Sequence, residues 1–275
     1  MPTQTEKAHA FQALHHRPEA FIIPNPWDAG SARMLEGLGF EALATTSSGL
    51  AFSLGRRDNE AGREAVLRHV AEVVAVTGVP VSGDLENGFG DAPETAAETI
   101  RMGAEAGLVG GSIEDSIDQP GEPRGVYELE LAVERVRAAV EAARSLPFPF
   151  MLTARAENFV VGRPDLADTI RRLQAYQEAG ADVLFAPGLT REDDIAEVLR
   201  SVDRPVNVLA GLGGMSLGRA RLSELGVRRI SIGGALTRAA YGAFLEAARE
   251  MLDRGTFDFA QDATSFAELT KLFEA

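Results

Sequence analysis

From Phe21 onward, short apolar runs of β type alternate with longer segments of helical period, and the alternation continues almost to the C-terminus. A chain written this way buries its strands in a parallel sheet whose faces are covered by helices. Strands are expected at residues 21–24, 42–46, 79–84, 111–114, 150–154, 183–186, 206–209 and 229–232. Helical patterns cover 60–76, 93–106, 129–144, 164–179 and 192–202, several opening on proline or acidic residues, as helix starts prefer. Gly39, Gly78, Gly107, Gly180 and Gly226 end such segments and are expected as left-handed caps. About eight βα units fit an α/β fold of the closed (β/α)8 TIM-barrel type better than a doubly wound sheet.

No stretch has the composition of an interdomain linker, so residues 1–275 are expected to form one barrel domain with a C-terminal helical tail. The proline-containing segment 118–125 is expected as a long loop inside a βα unit. Residues 6–15 precede the first strand with helical character and could plug the barrel bottom. The tail after Arg254 carries Phe257, Phe259, Phe266, Leu269, Leu272 and Phe273 in an amphipathic arrangement that needs a surface, its own barrel or a neighbouring subunit.

With 27 basic against 41 acidic residues, the net charge of -14 argues against nucleic acid or an anionic membrane surface as partner. The chain has no cysteine, which excludes thiolate metal sites, disulfides and cysteine catalysis. No signal peptide or apolar run long enough to span a bilayer is visible, and a cytoplasmic enzyme is the simplest expectation.

In a barrel, reactive groups come from the C-terminal ends of strands. The third expected strand ends in Asp84 and Glu86, with alternate spacing, and the fourth in Glu114 and Asp115. Carboxylates gathered at one rim repel one another unless a cation compensates them, and oxygen ligands suit Mg²⁺ or Mn²⁺. Asp84 is expected to touch the metal, with Glu86 and Glu114 holding its waters. The fifth strand presents Arg155 and Glu157, and the arginine suits a bidentate carboxylate contact or a salt bridge to the same acids. Ser47, Ser48 and the backbone of Gly49 and Leu50 are candidate donors to a substrate carboxylate. Asp28 or Ser31 reads as a helix cap beside Trp27, and no histidine is placed as an obvious base.

Taken together, TTSSGLA at 45–51, RRDNE at 56–60, GDLENGFGD at 83–91, SIEDS at 112–116 and ARAEN at 154–158 resemble the isocitrate lyase and phosphoenolpyruvate mutase superfamily, as a divergent 2-methylisocitrate lyase-like member. The resemblance implies that the Ser-Gly-Leu backbone and the metal hold an oxo-carboxylate. It also implies that Asp58, Asp84, Glu86 and Glu114 form the metal site directly or through water, that Arg155 contacts substrate, and that Asn207 is a seventh-strand site residue. Arg155, Glu114 and Asp58 are the implied catalytic positions. The implied partners are a small oxo-acid and further copies of the chain, as a dimer or tetramer with an exchanged C-terminal helix.

Two departures bear on activity. The family's D-x-D-T-G-Y-G reads Asp84-Leu85-Glu86-Asn87-Gly88-Phe89-Gly90, and the loop after the fourth strand holds neither the lysine nor the cysteine of the family's lyases, so Arg124 and Tyr127 are the loop's candidate substitutes. Isocitrate-type cleavage with a cysteine acid is excluded. A Mg²⁺-dependent lyase or decarboxylase acting on a small 2-oxo or 2-hydroxy acid through an enolate-like intermediate is the leading expectation. A C–P mutase or hydrolase, or a barrel that only binds oxo-acids, are the alternatives.

Overall fold

The structure is a computed structural model and describes residues 1–117, 123–211 and 213–273. Eight parallel strands, β1 (Phe21–Ile23), β2 (Leu43–Ala44), β3 (Val81–Asp84), β4 (Gly110–Glu114), β7 (Met151–Arg155), β8 (Val183–Phe185), β9 (Val206–Leu209) and β10 (Arg229–Ser231), make one sheet in the order β1-β10-β9-β8-β7-β4-β3-β2. β5 (Ser116–Ile117) and β6 (Gly125–Val126) form a separate antiparallel pair beyond β4. Between β1 and β2 the ring is drawn together by Ala44 N–H donating to the Pro24 carbonyl (3.1 Å) and by Asn25 Nδ2 donating to that of Thr45 (3.0 Å). Asn25 Oδ1 also accepts from the backbone of Ile232 and Gly233, so one amide ties the ends of β1, β2 and β10 together. The fold is the expected (β/α)8 barrel.

The outer helices form where the periodicity placed them: Arg63–Val76, Pro93–Glu105, Leu129–Arg144, Leu166–Glu178 and Glu192–Ser201. Their apolar faces enclose Val70, Ile100, Leu108 and Phe150 on one side of the barrel and Leu173, Tyr176, Leu184 and Ile195 on the other. The N-terminal helix Gln4–His15, held by a Thr3/Glu6 capping box, closes the bottom. Its Phe11 is fully buried and meets Phe21 edge-on at 6.3 Å, within a third cluster that includes Leu14, Val109, Met151 and Val183.

Three corrections to the expected elements have local causes. Gly39, Gly107, Gly180 and Gly226 adopt positive φ, but Gly78 does not, because the helix before it already ends at Thr77 in an extended conformation. The second strand keeps only two residues, because Thr46 caps a short helix, Ser47–Ser53, that no helical pattern had marked. Gly125 of the expected long loop pairs in β6, and residues 118–122 of that loop lie outside the described residues. The tail does find a surface on its own chain. Helix Phe266–Phe273 lies on helix Ala29–Gly37, with Leu272 against Gly37 and the Arg33 guanidinium 5.8 Å from the Phe273 ring. The long helix Ala235–Arg254 buries only Thr237 among its residues and leaves Phe244 and Leu252 exposed. No helix among the described residues is long and apolar enough to cross a membrane.

The plug reaches β4 because Gly110 has no side chain. A Cβ there would stand 2.7 Å from Phe11 Cε1 and 2.9 Å from the Met151 carbonyl. Gly110→Ala is expected to cost about 2 kcal/mol by overpacking, read as a lowered midpoint in denaturant unfolding with an unchanged slope.

Candidate functional site

Arg155, the last residue of β7, organises the rim. Its guanidinium donates to Asp84 (Nη1 to Oδ1, 2.9 Å), Glu114 (Nη2 to Oε2, 3.0 Å) and Glu157 (Nε to Oε1, 2.9 Å). Register explains the first two contacts, because Asp84 pairs with Ser112 and Glu114 pairs with Arg155 across adjacent parallel strands. The desolvation that burial brings is outweighed by Glu114, Glu157 and Asp84, so the guanidinium stays protonated far above the neutral range. Glu157 was noticed in the sequence only as a strand-end acid. Burial raises its carboxyl against the pull of Arg155.

Glu86 reaches the same rim by a different route from the one its alternate spacing suggests. β3 ends at Asp84, Leu85 turns into the core, and Glu86 takes a left-handed φ of 49°. That costly conformation is held from outside, since Arg135 on helix Leu129–Arg144 donates to the carbonyls of Asn87, Gly90 and Asp91. The Tyr127 ring stacks 4.4 Å from the Arg135 guanidinium, and its hydroxyl donates to Asp91 (2.7 Å). Tyr127 therefore braces this loop, with its own pKa pushed up to about 12 by burial and by Asp91. Arg124 pairs with Glu114 (3.2 Å) and donates to Ser116, which places it beside the acids as a second counter-charge.

Below Glu114, Asp115 accepts from Glu157 N–H (2.8 Å), Arg172 (3.1 Å) and the Tyr176 hydroxyl (2.5 Å), locking the ends of β4 and β7 to helix Leu166–Glu178. Across the cavity, Ser47 N–H donates to Asp84 Oδ2 (3.0 Å) and its hydroxyl to Asp58. Asp58 keeps an open face on the cavity mouth, yet surrounding protein and the charges of Asp84 and Glu114 raise its pKa. Ser47 and Ser48 line the cavity. The Gly49 and Leu50 amides are instead taken up in the first helical turn, by the Thr46 hydroxyl (3.4 Å) and carbonyl (3.1 Å).

The cavity holds about 280 Å³ and runs from this rim down to Asn207, Arg229 and Ser231. Asn207, expected as a seventh-strand site residue, lines the cavity at its floor, where its side chain bonds Ser231 (2.9 Å) and Arg229 (3.0 Å). Sequence reasoning missed Arg229, an arginine at the start of an apolar strand. The signal was a charge at a position that should face a barrel core. His15 is buried, with its ring pKa lowered to about 3, in keeping with the absence of an expected histidine base.

Arg155 and Arg124 between them pair with Asp84, Glu114 and Glu157, while Asp58 and Glu86 stand beside the same acids without a guanidinium of their own among the described residues. Glu86 Oε1 is buried with no hydrogen-bond partner among the described residues, and burial together with Asp84, Glu114 and Asp58 pushes its pKa up to about 8. No three of these acids converge closely enough to hold a bare ion among the described residues. An all-oxygen donor set with one orphaned carboxylate oxygen fits a hydrated divalent cation.

The parallel barrel with its acidic rim closed over an arginine is shared with enzymes of the isocitrate lyase and phosphoenolpyruvate mutase superfamily, and comparison with known proteins places the chain there. The chain belongs to the phosphoenolpyruvate phosphomutase family, whose model matches residues 11–252. It is similar to a Burkholderia cenocepacia J2315 protein crystallised as a candidate lyase/mutase, at 60% identity and TM-score 0.96, covering 99% of this chain and 98% of that one. The structure of a 2,3-dimethylmalate lyase matches at 25% identity and TM-score 0.86, over 99% and 95% of the two chains. Oxaloacetate decarboxylase of Chromohalobacter salexigens is 28% identical over 281 residues, 99% of this chain and 96% of its own.

Two outcomes test the electrostatics. An acid whose folded pKa is raised from 4.5 to about 8 contributes stability that is full below pH 4.5 and is lost as the pH rises through about 8. Metal-free protein should therefore lose on the order of a few kcal/mol between pH 5 and pH 8, and Glu86→Gln should flatten that slope in urea titrations. Arg135→Met leaves three carbonyls without their donor and is expected to cost about 3 kcal/mol, checked by the same unfolding measurement.

Proposed function

We propose that the chain is a Mg²⁺-dependent lyase that cleaves a C–C bond, or decarboxylates, next to the oxo or hydroxy group of a small carboxylic acid. The observation that carries this reading is the rim itself: carboxyl groups in excess of the surrounding arginines, one with an unpartnered buried oxygen, beside serine donors that face the cavity. The activities carried in the names of the decarboxylase and the dimethylmalate lyase support the same class.

Asp84 would hold the cation, with Glu86, Glu114 and Asp58 orienting its waters; Mn²⁺ suits the same oxygens. When bound, the cation supplies Lewis-acid stabilisation of the negative charge that develops on the substrate oxygen as the bond breaks. Arg155 lies against the same carboxylates, where it fixes their geometry and adds positive charge near that oxygen. The Ser47 and Ser48 hydroxyls line the wall where a substrate carboxylate would be oriented. Phe52, Val160 and Phe185 add apolar surface to the same cavity. One barrel with its helical tail is the proposed functional unit, and the apolar residues exposed on helix Ala235–Arg254 support a homo-oligomer, a dimer or tetramer.

Oxalate at a hundredfold excess over its Kd should stabilise the protein by about 2.7 kcal/mol, and only with Mg²⁺ present, in a thermal-shift titration. Turnover of oxaloacetate, followed as pyruvate formation, should stop with chelator and fall on the order of a hundredfold in Asp84→Asn. Full turnover in that variant would remove the metal assignment. Release of phosphate from phosphonopyruvate, followed by phosphorus NMR, would favour instead the C–P chemistry that the family's description suggests.

A further inference from the structure

Barrel interiors are ordinarily filled by layers of branched apolar side chains. Beneath this rim the layer is Ser82, Ser112, Thr153, Asn207 and Ser231, and Arg229, the first residue of β10, lies among the last three. Arg229 is only 5% exposed. Its Nε donates to Asn207 Oδ1 (3.0 Å), Nη2 to Thr153 Oγ1 (3.0 Å), and Nη1 meets His15 Nε2 at 3.5 Å.

All three partners are neutral. His15 Nδ1 lies 2.8 Å from the Phe11 carbonyl, which accepts its proton and leaves Nε2 as an acceptor, and burial together with Arg229 keeps the ring uncharged. Among the described residues no carboxylate pairs with Arg229, and burial alone lowers its pKa to about 9. A desolvated cation without a counter-ion is expensive. The chain has 41 acidic residues, and Arg155 collects three of them at the rim, yet this arginine is left with hydroxyls, an amide and an imidazole. It lines the same cavity as Asp84 and Ser47, so an anion entering from the mouth can complete it.

We propose that Arg229, with Asn207 and the Ser231, Ser82 and Ser112 hydroxyls, forms an anion subsite on the cavity floor that receives the second carboxylate of a di-acid held by its 2-oxo-carboxylate end at the rim. The proposal rests on the oxo-acid reading of the rim given above and adds the residue that selects a second negative charge. Distance permits it. Thr153, which Arg229 contacts, lies two residues before Arg155 on β7, a separation of about 7 Å along a strand and within reach of a short di-acid. Charge favours it too, since the rim acids repel a second carboxylate while the floor attracts it. Besides Arg155 at the rim, Arg238 lines the cavity, but it is exposed at the mouth, donates to the Gly211 carbonyl (2.9 Å) and is screened by water.

The test is calorimetric titration of the full-length protein with Mg²⁺, using oxalate to probe the rim and a matched pair to probe the floor. 2-Oxoglutarate and 2-oxopentanoate share a chain length and differ only in a terminal carboxylate against a methyl. The wild type is expected to bind the di-acid at least about tenfold more tightly. Arg229→Met should remove that preference and leave oxalate affinity unchanged. Should that variant fail to fold, Asn207→Asp carries the test. It sets a carboxylate beside Arg229 Nε as an internal counter-ion, and should raise the melting temperature while abolishing the preference. A wild type with no preference, or either folded variant retaining it, overturns the subsite and leaves the rim reading intact. Failure of oxalate to bind the wild type overturns the rim reading and the di-acid assignment with it.

Discussion

The contact on which the site depends is the single guanidinium shared by Asp84, Glu114 and Glu157. Three carboxylates at this depth cannot be tolerated by solvent alone, so Arg155 is what lets β3, β4 and β7 bring acids to one rim. The parallel register does the placing, because the last residues of neighbouring strands stand side by side. The arginine is nonetheless outnumbered. Glu86 and Asp58 crowd the same rim, and burial first, then the neighbouring acids, pushes the pKa of each upward. The rim is built with an electrostatic deficit of the kind that the divalent cation proposed above would offset.

The barrel and much of its rim were legible in the sequence, for a physical reason. Strands buried on both faces read as apolar runs, and a barrel turns the residue at the end of each run toward the site, so Asp84, Glu114 and Arg155 could be named from position alone. What escaped were the features set by contacts distant in sequence. Glu86 was read as a strand residue facing the same way as Asp84, but its place is fixed by Arg135, 49 positions away, through carbonyls that carry no sequence signature. The helix Ser47–Ser53 went unmarked, because the Thr46 cap that starts it is indistinguishable from a turn residue until the tertiary position of the helix is known. Asn207 was assigned to the site by a loose match, and its real partners, Arg229 and Ser231, are visible only when β9 and β10 are set in register.

The supporting shell shows why this rim holds its geometry. Asp115 fastens the backbone of Glu157 and the side chains of Arg172 and Tyr176, so the ends of β4 and β7 are tied to an outer helix just below the reacting groups. Arg135 and Tyr127 do the same for the loop after β3. Both braces centre on a buried charged group with several hydrogen bonds, the Asp115 carboxylate in one and the Arg135 guanidinium in the other, a construction that is costly to desolvate but directional once formed. A site whose acids repel one another needs such directionality, since apolar packing alone would let the carboxylates move apart.

Seen along its axis, the barrel interior is polarised, with the negative surplus at the mouth around Asp84 and Glu86 and an unmatched positive charge at the floor on Arg229. Moving an acid next to Arg229 would stabilise the folded chain, so the arrangement is a departure from the most stable sequence for this fold. Such departures concentrate where function requires them. The hydroxyl and amide layer between the two poles gives up apolar packing in the same way, while the N-terminal plug and the helix-facing clusters keep ordinary apolar cores. Stability is thus held outside and beneath the barrel, which leaves the interior free to present a directed field to whatever enters it.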